Sequence, residues 1–329
     1  MGVTIRDVAE LVGVSAASVS LVLNYKECRI SEETKQKIFD GARELGYEPK
    51  RGKRGNSAYD GKVIGVICQR PDDELTDECT RGIENYASVY GYHTFYMFCA
   101  DRAEKCAEQI ELAASLGAAG VIIQPPSDMN KDGNNIMLGD VLKKSGIPYV
   151  LLDKAIHNVF CDFVTADNKL GANMAVDHLV AAGHRKIGIA TGRKEIYNTR
   201  KQVEGYREGM ILKGLEVDES LICYGDYSVE DGEKAAQRLL ESGATAMIAC
   251  DKELTMGICE YARKRGEKVG EDFSLVSFAN MREADYLEPK ITSICQPGEQ
   301  MGRKAAEVLV GRICHENLGS VKTNYFTPA

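Results

Sequence analysis

The residues best placed to do chemistry stand near the front, in the run Val14-Ser15-Ala16-Ala17-Ser18-Val19-Ser20-Leu21-Val22-Leu23-Asn24. Hydroxyls and methyl groups on one short helix suit non-covalent contact with the major groove of DNA rather than bond making. Groupings that make or break bonds are missing from the 329 residues: no Gly-x-Gly-x-x-Gly, Walker loop, Gly-x-Ser-x-Gly elbow or His-Glu-x-x-His occurs. The five histidines, at 93, 157, 178, 184 and 315, lack ligand spacing, and the eleven cysteines, from Cys28 to Cys314, include no Cys-x-x-Cys pair. The sequence therefore predicts no catalytic residue, cofactor, metal or disulfide framework, and its cysteines read as reduced core thiols.

Helices on either side of a tight turn must position that run. Thr4-Ile5-Arg6-Asp7 reads as a helix start, with the Thr4 hydroxyl set to cap free amides and Asp7 at the positive end of the dipole. Val8, Leu11 and Val12 give it an apolar face, and Gly13 breaks the pattern. Ser15 offers a second N-cap, after which Val19, Val22 and Leu23 resume an apolar stripe. Ser31-Glu32-Glu33-Thr34 opens a third helix whose buried face is Ile38, Ala42 and Leu45, with Gly46 as its stop. Pro49 to Gly61 is a polar, breaker-rich linker.

Charge is divided in the same way. The net charge is −8, but residues 1–62 hold eleven Lys and Arg against nine Asp and Glu, and the remainder thirty against forty. Lys50, Arg51, Lys53 and Arg54 form a basic cluster that would add phosphate contacts at the edge of a DNA-reading module. No apolar run is long enough to span a bilayer, and Arg6, Asp7 and Glu10 interrupt any signal segment, so no membrane partner and a cytoplasmic location are expected.

From Lys62 the texture becomes short apolar strands alternating with helices. The clearest strands are 63–67, 120–123, 149–152, 187–189, 246–249 and 275–278; helices are expected at 74–90, 103–116, 171–182, 203–213, 233–242 and 254–265. Continuous apolar strands between helices imply parallel sheets covered on both faces, with ligands collecting at the carboxyl ends of the strands. These units are too many for one doubly wound domain, so two lobes facing a cleft are expected.

The run Val3-Thr4-Ile5-Arg6-Asp7-Val8-Ala9, followed by Gly13-Val14-Ser15, Val19-Ser20 and Leu23-Asn24, closely resembles the opening of the lactose/galactose-repressor family of bacterial transcription regulators, and the likeness continues through nearly the whole chain. It implies a small all-α helix-turn-helix headpiece (1–48), a linker (49–61) and a bilobed α/β core like that of periplasmic binding proteins. The first lobe would be 62–164 plus 296–329, and the second 165–295. The resemblance also places a further closing strand beyond Ala329. It implies base-edge contacts from Ala16, Ala17 and Leu21 supported by Ser18, and backbone contacts from Thr4, Ser15, Ser20, Asn24 and Tyr47. Ala16, Ala17 and Leu21 cannot form side-chain hydrogen bonds, so T·A pairs with exposed methyls are the expected targets. The minor-groove wedge of many relatives falls on Asn56, between helix-weakening Gly52 and Gly55, so no wedge is expected.

For the cleft, the resemblance implies effector contacts at Gln69, Gln124, Asp153, Asn198, Gln202, Tyr227, Asp251, Asn280 and Gln296, each read as lying at or just after a strand end. Gln202 stands where relatives carry Arg, Cys250-Asp251 replaces Asn-Asp, and Ser277-Phe278-Ala279-Asn280 replaces Gly-aromatic-Asp-Asp. Amides with Tyr227 as a stacking face suit a neutral polyol, sugar or nucleoside. Arg70, Lys154, Arg193 and Arg200 could add positive charge for a phosphorylated one. The expected protein is a homodimeric, operator-binding repressor modulated by a sugar-like effector, its paired recognition helices about 34 Å apart. The alternatives are a solute-binding protein without DNA function and an effector-independent regulator.

Overall fold

The computed structural model describes residues 4–23, 30–45, 47, 61–71, 73–279, 290–314 and 320–329. They divide into an N-terminal unit ending at Gly61 and a larger unit beginning at Lys62.

In the first unit, helices α1 (Ile5–Val12), α2 (Ala16–Leu23) and α3 (Glu32–Glu44) enclose a small core of Val8, Ala9, Val19, Val22, Leu23, Ile38 and Ala42. Leu11, expected on the buried face of α1, is 47% exposed, and Ala9 takes the inward position instead. Gly13 ends α1 at φ +72°, and the chain turns so that Val14 N–H reaches the Ala9 carbonyl at 3.0 Å. A glycine meets this left-handed turn without the strain a Cβ would bring.

The larger unit contains two parallel sheets. The first is built from β1 (Val63–Cys68), β2 (His93–Phe98), β3 (Gly120–Ile123), β4 (Tyr149–Leu152), β5 (Asp162–Ala166) and β11 (Thr323–Phe326), in the order β11-β5-β4-β3-β1-β2. Alternate residues serve opposite faces. Ile64, Val66, Ile122, Val150 and Val164 pack under α4 (Glu74–Val89) and α11 (Gly298–Ile313). Ile67, Val121, Ile123 and Leu151 pack under α5 (Ala103–Ser115) and α6 (Asn134–Ser145). The second sheet contains β6 (Ile187–Thr191), β7 (Ile222–Tyr224), β8 (Ala246–Ala249), β9 (Ser274–Ser277) and β10 (Thr292–Ser293), ordered β10-β9-β8-β6-β7. One of its faces is covered by α7 (Asn168–Ala181) and α8 (Tyr197–Leu212), the other by α9 (Val229–Glu241) and α10 (Lys252–Arg265).

The parallel, doubly covered architecture is the one the sequence predicts. Strands β2, β5, β7, β10 and β11 and helices α6 and α11 are additions to the sequence reading. The last of these strands, β11, pairs with β5 from Thr323↔Phe163 to Phe326↔Ala166. Helix α8 begins at Tyr197, six residues before its expected start.

Along the first sheet, α11 lies against α4 with almost no gap. A Cβ on Gly302 would sit 1.9 Å from the Cys79 carbonyl oxygen, and one on Gly82 would sit 2.0 Å from that of Glu299. Asp162, buried at the start of β5, holds α11 through Arg312, whose Nε and Nη2 donate to it at 2.7 and 3.2 Å.

Candidate functional site

Two groups of candidate residues are held in different ways. In the N-terminal unit, the Asp7 carboxylate takes the Thr4 backbone N–H at 2.6 Å and the Thr4 hydroxyl at 2.8 Å. These bonds hold its carboxyl below the usual carboxylate range. Thr4 and Asp7 thus form the capping box that opens α1. Ser15 caps α2 by accepting the Ser18 N–H at 3.0 Å, and the two hydroxyls meet at 2.9 Å. Inward anchors Val19, Val22 and Leu23 fix how α2 is rotated.

Ala17 is exposed, and Leu21 lies one turn further along, half-buried with Ser18 and Ser20. Ala16 and Tyr47 pack against the small core. The outward ridge therefore presents methyl groups, while the hydroxyls of Ser15 and Ser18 are spent on the cap. Asn24, Lys50, Arg51, Lys53 and Arg54 lie outside the described residues.

In the larger unit, Gln69, Gln124 and Asp153 follow the carboxyl ends of the neighbouring strands β1, β3 and β4. Gln69 donates to the Pro125 carbonyl at 2.6 Å and accepts Lys154 Nζ at 2.9 Å. Buried Gln124 accepts the Thr76 hydroxyl at 3.0 Å. Asp153 is 7% exposed at φ +69°, and burial raises its carboxyl above the usual range.

The second sheet answers from its own carboxyl ends. Tyr227, at φ +54° beyond β7, bonds Thr199 Oγ1 at 2.9 Å. Its ring covers Gly192, where a Cβ would meet Tyr227 Cζ at 2.2 Å. Asp251 caps α10 by accepting the Glu253 N–H at 2.8 Å, and burial raises its carboxyl well above the usual range. Asn198 and Gln202 do not follow a strand, as the sequence reading has it. They lie on α8, because that helix starts early. Gln202 accepts the Thr191 hydroxyl at 3.1 Å, and Gln296 donates to Asn168 at 3.4 Å. Asn280 lies outside the described residues.

The two sheets are joined across these ends. Asn198 Nδ2 donates to Asp153 Oδ1 at 2.9 Å, while Asn198 Oδ1 is buried with no hydrogen-bond partner. Lys252 meets Glu74 at 3.0 Å and Arg70 meets Glu253 at 3.2 Å. Further along, Arg200 approaches His157 Nε2 at 2.7 Å, and the Tyr197 and Tyr325 hydroxyls meet at 2.9 Å. Arg193 pairs with Asp226. The cations expected to serve a phosphate are thus each engaged with protein groups: Arg70, Arg193 and Arg200 as above, and Lys154 with Gln69. Sequence reading missed Glu74, Lys252 and Glu253, because their signal is a meeting of helix starts 178 or more residues apart.

Among the described residues, no group of three or more His, Cys, Asp or Glu could hold a metal ion, and no helix is long and apolar enough to cross a membrane.

Comparison with known proteins adds to this geometry. Residues 4–50 match bacterial regulatory proteins of the lacI family, and residues 61–324 match periplasmic binding proteins and the sugar-binding domain of the LacI family. Catabolite control protein A of Priestia megaterium is 30% identical, covering 97% of this chain and 95% of its own. The HTH-type transcriptional repressor PurR of Photobacterium profundum is 27% identical, covering 95% and 93%. Among solved structures, the transcriptional regulator CelR–cellobiose complex has a TM-score of 0.73 at 25% identity, covering 99% of this chain and 98% of that one.

Proposed function

The chain belongs to the LacI family of bacterial regulatory proteins, and we propose on that premise that it is a cytoplasmic, homodimeric repressor whose operator affinity is set by a small hydroxylated effector. The observation that carries this reading is the pairing of a capped helix-turn-helix with a two-sheet core bonded across its cleft from Asn198 on α8 to Asp153 after β4. Residues 1–48 serve as the headpiece, 49–61 as the linker, 62–164 with 296–329 as one lobe, and 165–295 as the other.

The outward methyls of Ala17 and Leu21 pack against thymine methyls, with Ala16 and Ser18 beside them. Thr4, Ser15, Ser20, Asn24 and Tyr47 set register on the backbone, and Lys50, Arg51, Lys53 and Arg54 add phosphate contacts. The effector is held by Gln69, Gln124, Asp153, Asn198, Gln202, Tyr227, Asp251, Asn280 and Gln296. Cellobiose in the CelR complex supports a sugar as its class. Effector binding changes lobe closure and with it the spacing of the two headpieces, a coupling of about 1–3 kcal/mol.

A second reading is favoured by the lobe-to-lobe bonds themselves: Lys252–Glu74, Arg70–Glu253 and Asn198–Asp153 close the cleft with the chain's own side chains, as a regulator without an effector would need. The test is selection of operators from randomised duplexes by the full chain, followed by calorimetry with sugars, polyols and nucleosides. Sequence preference with heat from one ligand class supports the main reading, and preference with no heat supports the second. A monomer without sequence preference at low salt overturns both.

A further inference from the structure

Among the contacts that join the two sheets of the core, one has a protonation state that its donors alone decide. Arg200, on the helix α8 that covers the second sheet, approaches Nε2 of His157, which follows β4 of the first, at 2.7 Å. A guanidinium carries N–H donors and no acceptor, so this bond exists only while Nε2 keeps its lone pair. His157 is therefore neutral in this contact, with its ring proton on Nδ1.

The backbone beneath the ring is tied down on both sides. His157 N–H donates to Asn130 Oδ1 at 2.9 Å, Asn135 Nδ2 donates to the His157 carbonyl at 3.3 Å, and Asn130 Nδ2 reaches across to the Glu195 carbonyl at 3.4 Å. The loop cannot slide to relieve a repulsion at the ring, which therefore falls on the contact between the sheets. Charged groups on the surrounding elements are occupied elsewhere. On the same loop, Lys154 serves Gln69 and Asp153 takes Asn198, while on the loop of Asn130, Lys131 lies against Asp132 and Asp128 acts on Arg193. Ahead of α8, Arg193 pairs with Asp226 and Lys194 lies over the Tyr224 ring; on α8 itself, Lys201 holds Glu204. Among the described residues no carboxylate bonds the ring, and Arg200 is the one charge that acts on it.

We propose that His157 and Arg200 form a proton-operated latch across the cleft: neutral His157 accepts Arg200 and holds the two sheets together, and a proton on Nε2 replaces that bond with a repulsion between two cations and parts them. The same two segments carry the Asp153–Asn198 bond, so the latch acts on the pair that closes the cleft. Linkage fixes the direction. Burial and Arg200 lower the His157 pKa below its ordinary 6.5 in the joined form, and a parted ring returns toward 6.5, so acidification through 6.5 favours the parted form. The net worth of one hydrogen bond corresponds to about a fivefold shift in the ratio of the two forms. The latch rests on the two-sheet core alone, whereas its link to effector binding rests on the function proposed above.

Lobe separation can be read without touching the cysteines. Keto amino acids replace exposed Lys144 on α6 and Ile211 on α8, nitroxides are coupled to them, and the full chain, diluted with unlabelled protein, is measured by double electron–electron resonance. Between pH 8 and pH 5.5 the ratio of the longer to the shorter distance should rise about fivefold. His157→Gln, whose amide oxygen accepts Arg200 at every pH, should keep the short distance throughout. Arg200→Gln should abolish the pH response and return the His157 midpoint, followed by NMR, to near 6.5. A sugar that binds the closed cleft should bind about fivefold more weakly at pH 5.5 than at pH 8; a distance response without that loss supports the latch and counts against the effector reading. A wild-type distance that does not change with pH overturns the proposal, as does an equal response in His157→Gln or a wild-type His157 midpoint at or above 6.5.

Discussion

Gly302 lets α11 touch α4, so Gly302→Ala tests whether that contact supports the first lobe. The new methyl would stand 1.9 Å from the Cys79 carbonyl oxygen, 2.7 Å from its carbon and 2.8 Å from its Cα. All three are backbone atoms that no rotamer change can move aside. Ordinary contact begins near 3.4 Å, so the helices must part by about 1.5 Å along a seam that includes fully buried Met301, Ala305 and Ile83. Overpacking of this kind costs about 3 kcal/mol, which lowers the melting temperature by roughly 6–12 °C for a domain of this size. The matched control is Gly139→Ala on α6, where the added methyl meets only Val159 Cγ2 at 3.4 Å. Better helix propensity there should stabilise by about 0.5–1 kcal/mol. Calorimetric melting of both full-length variants reads the two signs. The same parting displaces Glu74 and Thr76, which α4 carries to the cleft, so Gly302→Ala should also weaken effector response. A Gly302→Ala protein that melts with the wild type would refute the reasoning.

Four further outcomes are expected. Ala17→Arg should redirect the selected operator toward guanine at one position per half-site, by about 1–3 kcal/mol per bidentate contact; an unchanged consensus in duplex selection counts against α2 as the reading helix. Removing both ion pairs with Glu74→Gln and Glu253→Gln should open the lobes by about 0.2–1 kcal/mol per pair, since the four side chains are 15–46% exposed and partly screened. Small-angle scattering should then show a larger radius of gyration and a weaker salt dependence than in the wild type. His157 is held neutral by burial and by Arg200, its pKa lying below the ordinary 6.5, so its contribution to stability is present above that value and is lost as pH falls toward the lowered one. Melting should fall on acidification below pH 6.5, and His157→Gln should flatten that slope. Asp153 shows the opposite shift: its carboxyl is raised, so stability declines as pH climbs from 3.8 through the raised value. Asp153→Asn keeps an acceptor for Asn198 and suits the left-handed φ, so it should melt higher at pH 7 while losing effector response.

What the sequence showed and what it hid follow from how local each signal is. Val63–Cys68 and Gly120–Ile123 are buried almost throughout, so their apolar runs announced them. The sheet-edge strands β2 and β11 mix exposed and half-buried residues, and Thr323–Phe326 has no run to betray it. Helix α8 escaped at its start because Ile196 caps it without a side-chain hydrogen bond. That shifted Asn198 and Gln202 from an expected strand end to a helix face. The cap at Ser15 could be read from one turn of sequence, whereas Lys252–Glu74 pairs residues that only the folded core brings together.

The position of β11 bears on how the protein is made. The residues of the second sheet run without interruption from 187 to 293, so that half can finish pairing while α11 and β11 are still inside the ribosome. The first half emerges earlier yet must wait: the apolar face that Val150 and Val164 present stays wet until α11 arrives, and Asp162 has no counter-ion until Arg312 is synthesised. A translational pause after residue 297 would therefore prolong exposure of the older half of the nascent chain, and that half is where chaperone binding should concentrate.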